Sequence, residues 1–155
     1  MTPGIVAAKR SGITYAVHEY EHEASAESYG LEAAEKLGLD PAQVFKTLVV
    51  QLDGRELAVA VLPVSDMLSM KRIAKACGAK KAAMADTAAV ERSTGYVLGG
   101  VSPLGQKKRL RTVIDASASE HPTIYVSAGR RGLEIELAPS DLADLLDAGF
   151  SDIAQ

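Results

Sequence analysis

Two apolar runs, VFKTLVVQL (residues 44–52) and LAVAVLP (57–63), stand on either side of Asp53-Gly54. Asp-Gly readily takes the left-handed backbone conformations that a two-residue turn demands, and strand-length runs rich in Val on both sides predict a β-hairpin. A second hairpin is predicted where TIYVSAG and LEIEL bracket Arg130-Arg131-Gly132. TYAVHEY alternates as a further strand, and TVID follows the basic run QKKRLR as another.

Helices are expected between these strands. Thr2-Pro3 reads as an N-cap and first turn for GIVAAKR, which should stop at Gly12. Leu31, Ala34 and Leu37 recur at helical spacing between Ser28 and a glycine stop at Gly38. Ser69 to Ala76 and Asp86 to Arg92 read as two short helices with Ser and Asp caps, and SDLADLLDAG as a capped C-terminal helix. YVLGGVSPLG is a loop punctuated by Gly and Pro. Strands mainly in hairpins with helices grouped between them predict an α+β fold, built on a mixed, largely antiparallel sheet.

A chain of 155 residues, 47% hydrophobic and 24% charged, is expected to form a single domain over residues 1–155 with one core. That core is mostly aliphatic, since there are no Trp, five Tyr and two Phe. No run approaches the ~18 apolar residues of a membrane span, and MTPGIVAAKR has no signal-like apolar region, so a cytoplasmic protein with no membrane partner is expected. The one cysteine, Cys77, rules out an internal disulfide framework and a cysteine-based zinc cluster, and reads as a core residue. The net charge of −3 hides a segregation: ten Lys or Arg lie between Lys71 and Arg111, against only Asp86 and Glu91, while only acids follow from Glu134 onward. Gathered on one face, the basic residues would attract phosphate; scattered, they would be solvated lysines and arginines.

His18-Glu19-Tyr20-Glu21-His22 matches the zinc-protease string H-E-x-x-H. On a helix the two histidines would share a metal, but residues four apart on a strand are separated by roughly 13 Å. The flanking TYAV favours the strand, and no metal is expected. Gly100-Val101-Ser102-Pro103-Leu104 lacks the last glycine of a nucleophile elbow, and Gly100 to Lys107 lacks the lysine of a phosphate-binding loop.

What remains is Lys46, alone in an apolar run. Strand parity puts it on one face with Val44, Leu48 and Val50. It either reaches back to solvent along its alkyl stem, or its ammonium waits in a partly closed cleft where a carbonyl oxygen or phosphate would bind strongly.

VFKTL (44–48), RSTGYVLGGVSPLGQKKRL (92–110), TIYVSAGRRGLEIEL (123–137) and DLADLLDAGFSDIA near the end together resemble the YbaK/EbsC family, related to the editing domain inserted in bacterial prolyl-tRNA synthetases. The resemblance runs from MTP to the C-terminus. It implies a barrel-like mixed-sheet α+β fold flanked by helices, and a pocket for the aminoacylated 3′ end of tRNA. It implies a trans-editing deacylase that removes cysteine from Cys-tRNA(Pro), and from Cys-tRNA(Cys), through attack of the substrate's own thiol, with no cofactor. Lys46 falls on the family's functionally essential lysine. Matching pocket positions are Tyr20, Tyr29, Thr47, the G-x-x-x-P turn with Gly99, Gly100 and Pro103, and Ser127, Gly129 and Glu134. Tyr29 and Glu134 depart from the phenylalanine and aspartate of a close relative, which changes pocket volume and reach. Lys80, Lys81, Lys107, Lys108, Arg109, Arg111, Arg130 and Arg131 would meet acceptor-stem phosphates. The implied partners are mischarged aminoacyl-tRNA and, in a transient complex, prolyl-tRNA synthetase. Competing expectations are a non-catalytic aminoacyl-tRNA or synthetase-binding module, a deacylase for another small amino acid such as alanine, and a metalloenzyme built on His18 and His22.

Overall fold

The computed structural model describes residues 1–23 and 29–155. The expected helix start at Ser28 lies outside the described residues. In chain order the elements are α1 (Pro3–Ser11), β1 (Tyr15–Glu19), α2 (Tyr29–Leu37), β2 (Phe45–Leu52), β3 (Glu56–Pro63), α3 (Met70–Ala76), β4 (Ala82–Met84), α4 (Thr87–Thr94), β5 (Arg111–Asp115), a short 3-10 helix (Ala116–Glu120), β6 (Ile124–Ser127), β7 (Leu133–Leu137), α5 (Pro139–Leu146) and β8 (Gly149–Ser151).

Both predicted hairpins form. β2 and β3 pair antiparallel through a turn in which Asp53 and Gly54 both have positive φ, 52° and 68°. Thr2, Ser69 and Asp86 cap α1, α3 and α4 through their side-chain oxygens. α5 differs from expectation: it begins at Pro139 after Ala138, which makes no side-chain cap, and it ends on Asp147 rather than a glycine. Proline's fixed φ and missing N–H suit the first helical position without a polar cap.

The strands form two sheets. The order is β1-β7-β6 in the three-stranded sheet and β4-β2-β3-β5-β8 in the five-stranded one. Pairing is antiparallel except for β3 with β5 and β5 with β8, giving the mixed α+β architecture that the hairpins predict. Among the described residues the sheets do not close into a barrel.

The main core lies between the two sheets, with Phe45, Val49, Val59, Val61 and Ile114 on one side and Ile124, Val126, Leu133 and Ile135 on the other. The opposite face of the five-stranded sheet buries Val50, Leu52, Ala60 and Leu62 under Ile73 of α3 and Ile153. Because β2 is covered on both faces, its apolar run is continuous rather than alternating. α2 lays Ala33 and Ala34 against Val44, Val64 and Tyr125. There β6 meets β2 at one isolated parallel bridge, Val44 to Tyr125, and the two strands then part.

Candidate active site

Beyond that bridge lies a cavity of about 330 Å³. Its walls come from β2 (Phe45 to Leu48), the start of α2 (Tyr29, Gly30), the turn at Leu98-Gly99 with Val101, and the β6–β7 hairpin with nearby Tyr20. Side chains of both parities on β2 line it, so the strand presents its edge as well as a face to the cavity.

Lys46 is half-buried and donates from Nζ to the backbone oxygen of Asp66 at 2.6 Å. Burial pushes its ammonium below the ordinary lysine range, and the Asp66 charge only partly opposes this. The lysine therefore lies in the cleft of the second reading and is steered by the turn that follows β3. Glu134 projects into the same cavity from β7, opposite Ser127 in the β6–β7 register. It is 6% exposed, and burial raises its carboxyl from 4.5 to about 8, so it is neutral at pH 7. A site that disfavours both an ammonium and a carboxylate is one where an arriving charge of opposite sign would bind strongly.

The mouth is framed by a stack. Arg131 lies over the Tyr29 ring, 3.8 Å from its centroid, and pairs with the buried Glu32 carboxylate of α2 at 3.6 Å. A Cβ placed on Gly99 (φ +92°) would come within 2.7 Å of the same ring. Only glycine allows the turn to lie so close to the aromatic ring. Val97 and Leu98 in that turn are exposed beside Tyr29 and make an apolar lip.

Of the residues that the resemblance picks out, Tyr20, Tyr29, Lys46, Thr47, Gly99, Ser127, Arg130, Arg131 and Glu134 line the cavity. Gly100, Pro103 and Gly129 do not. Gly100 packs against the Arg130 backbone, and Gly129 (φ +117°) against the Tyr96 ring, so both support the walls. Pro103 is buried beside a second groove of about 230 Å³, together with Lys108 and Arg109. Lys80 and Lys81 sit where Asp53 binds their backbone N–H groups, at the far end of β2, roughly 20 Å along the strand from Lys46. Arg111 donates to the Cys77 carbonyl and pairs with Glu56 at 3.7 Å, also away from the mouth. Arg130 and Lys107 are exposed. Arg131 is committed to Glu32 and Tyr29.

Sequence reasoning missed Tyr96, which holds the G-x-x-x-P turn: its hydroxyl donates to the Leu104 carbonyl at 2.5 Å, and burial pushes its pKa to about 12. Its neighbours Gly4 and Gly129 are far away in sequence, so no local pattern marks it. His18 is on a strand, as expected. Its Nε2 lies 2.9 Å from Glu136, and its ring packs against Tyr125.

The model of the aminoacyl-tRNA editing domain family matches residues 23–145. EbsC of Enterococcus faecalis, named as a candidate Cys-tRNA(Pro)/Cys-tRNA(Cys) deacylase, is 40% identical over 136 residues, covering 87% of this chain and 83% of its own length. YwhH of Bacillus subtilis, an uncharacterised protein, is 26% identical over 113 residues, covering 73% of this chain and 71% of its own. A solved structure described as a candidate trans-editing enzyme for prolyl-tRNA synthetase aligns with a TM-score of 0.85 at 22% identity, covering 99% of this chain and 95% of that one, a likeness of fold.

Proposed function

The chain belongs to the aminoacyl-tRNA editing domain family, and from that premise we propose that it is a trans-editing deacylase that removes cysteine from Cys-tRNA(Pro), and from Cys-tRNA(Cys) as its Enterococcus relative's name includes. One observation carries this reading: Lys46 and Glu134 line the same cavity, where burial lowers the lysine's pKa and raises the carboxyl's. An aminoacylated 3′ end brings the complementary charges, phosphate for the lysine and an α-ammonium for the acid.

Such an activity has a physical basis. Cysteine and proline have similar bulk, and a synthetase pocket gains only ~1–3 kcal/mol from a methylene-sized difference, so errors arise that a second site must remove. No histidine or cysteine is among the described residues lining the cavity, and the Ser127 hydroxyl already accepts from the Gly129 N–H at 3.2 Å. Substrate-thiol attack needs no protein nucleophile. The cysteine sulfur attacks the ester carbonyl, the bond to the ribose 3′-oxygen breaks, that oxygen receives the thiol proton, and a cyclic thiolactone leaves free tRNA behind.

In this scheme Lys46 neutralises or orients the carbonyl or terminal phosphate, and N–H groups of the Gly99-Gly100 turn support the developing negative charge. Tyr20 and Tyr29 wall the pocket, while Ser127 and Glu134 hold the amine or ribose. Acceptor-stem phosphates meet Arg130 and the Lys107 to Arg109 run, and prolyl-tRNA synthetase in a transient complex supplies tRNA identity.

The test is deacylation of Cys-, Ala- and Pro-tRNA(Pro) by wild type and Lys46→Ala. Cys-tRNA(Pro) should be cleaved fastest, and Lys46→Ala should lower kcat/KM by ~10²–10³. Binding of all three without turnover would make the protein a non-catalytic module. Rapid release of serine from Ser-tRNA(Pro) would replace the thiol with an activated water.

A further inference from the structure

Residues of an antiparallel pair alternate between exchanging both backbone hydrogen bonds with the partner strand and pointing those groups away from it. The Val64 N–H donates to the Val44 carbonyl at 2.8 Å, which fixes the phase of β2 against β3: Lys46, Leu48, Val50 and Leu52 bond to β3. Pro63, with no N–H to give, stands opposite Phe45 at a non-bonded position, as this phase requires. Phe45, Thr47, Val49 and Gln51 therefore direct their N–H and C=O groups to the other edge. There Val49 accepts from the Ala85 N–H at 3.0 Å and Gln51 pairs with Ala83 of β4. β4 stops short of Thr47.

The same parity holds across the cavity. The Ala128 N–H donates to the Leu133 carbonyl at 2.9 Å, so Ser127 turns its peptide groups away from β7, as does Tyr125, whose N–H reaches the Gln43 carbonyl at 3.1 Å. After the single Val44 to Tyr125 bridge the strands part, and the main-chain groups of Thr47 and Ser127 are left aimed into the fork between them. The Thr47 hydroxyl is also buried there without a hydrogen-bond partner among the described residues. A buried hydroxyl is paired in nearly every native structure, so the unpaired Thr47 hydroxyl points to an occupant of this fork.

We propose that the fork binds the aminoacyl group through main-chain atoms, with Thr47 treating it as a one-residue strand. This rests on the aminoacyl-ester reading of the cavity. In an extended α-amino acid ester, the ammonium and the carbonyl oxygen are spaced like the N–H and C=O of a strand residue, the pattern by which sheet edges capture peptides. The Thr47 C=O accepts from the α-ammonium, and the Thr47 N–H donates to the ester carbonyl, polarising it for attack. The Ser127 C=O takes a second ammonium proton. None of these bonds reads the side chain. Discrimination between cysteine and other residues is then left to the surrounding walls, and the main chain enforces only that the substrate is an α-amino acyl group.

The experiment is residue-resolved amide hydrogen exchange on the whole chain with 3′-(L-alanylamino)-3′-deoxyadenosine, a hydrolysis-resistant aminoacyl probe. Three controls accompany it: 3′-amino-3′-deoxyadenosine without the acyl group, the propionyl analogue without the α-amine, and the Thr47→Pro variant. Saturating alanyl probe should slow exchange of the Thr47 amide about tenfold. The unacylated probe should leave that exchange unchanged, and the propionyl analogue should bind at least about fivefold more weakly. Thr47→Pro, which removes the edge donor together with the hydroxyl, should bind the alanyl probe more weakly than Thr47→Val, which removes the hydroxyl and keeps the donor. If the probe shifts the Gly99 and Gly129 amides yet leaves Thr47 unprotected, main-chain capture is wrong and the aminoacyl pocket stands. If it perturbs no cavity amide at millimolar concentration, the aminoacyl reading of the cavity fails and main-chain capture fails with it.

Discussion

Glu134 is neutral at pH 7 only because the folded chain keeps water from it, and that has a thermodynamic signature. Its carboxyl titrates at about 8 in the fold against 4.5 as the reference. Between those values the native state holds a proton that the unfolded chain has lost, so the stabilisation is full below 4.5 and disappears as pH rises through 8. At ~1.4 kcal/mol per pH unit the interval corresponds to at most ~5 kcal/mol. Glu134→Gln, which cannot ionise, should match wild type in Tm near pH ~5 and exceed it near pH ~9. Equal Tm at both would mean the carboxylate is accommodated. Lys46 works in the opposite sense, since its lowered pKa makes the fold gain stability toward the ordinary lysine range. Sequence parity placed Lys46 correctly on the face with Leu48 and Val50, but it could not choose between solvent and cleft. That choice depends on the Asp66 carbonyl twenty residues away. Tyr96 was illegible for the same reason, its partners being tertiary.

The elements that build the site were legible where local chemistry is strong and invisible where it is not. Asp53-Gly54 and the caps at Thr2, Ser69 and Asp86 carry their own signals, and those elements form as expected. β4 and β8 have three residues each, AAM and GFS, and exist only because neighbouring strands offer pairing. α2 is the element whose placement matters most to the cavity. Gly30 lies so near Val64 that a Cβ would come within 2.2 Å of its Cγ1, so the helix sits as close as a residue without a side chain permits. Gly30→Ala should cost ~1–3 kcal/mol by overpacking, measurable as a lower midpoint in urea. It should also raise KM, because the displaced helix takes Tyr29 away from Gly99 and Arg131. Unchanged KM with lowered stability would separate the helix from substrate binding.

At the scale of the molecule, the basic segment from Lys71 to Arg111 proves to be divided among different surfaces rather than concentrated at the mouth. Lys80, Lys81 and Arg111 lie toward the far end of the five-stranded sheet and Lys108 and Arg109 edge the second groove, whereas the basic residue Arg130, outside that segment, stands at the cavity. Chain order alone could not reveal this, since a cluster in sequence is spread out by the strands and loops it runs through. On the proposed function, phosphate contact falls to a small subset, and binding of tRNA should show a shallow salt dependence. Arg130→Ala should reduce the slope of log K against log salt by about 1, whereas Lys80→Ala should leave it unchanged. Equal effects of the two would return the whole basic segment to the interface.

Residues 153–155 are tied to the turn that steers Lys46. Asp115 accepts from the N–H groups of Ile153 and Ala154 at 3.0 and 3.2 Å, and Gln155 pairs with Met67, next to the Asp66 carbonyl that steers Lys46. A handle, fusion or bead attached at Gln155 pulls on that turn, and Thr2, bonded to Ala128, transmits a load to the other wall. The Asp53-Gly54 turn, at the remote end of β2, is the place from which the molecule can be held without disturbing its lysine.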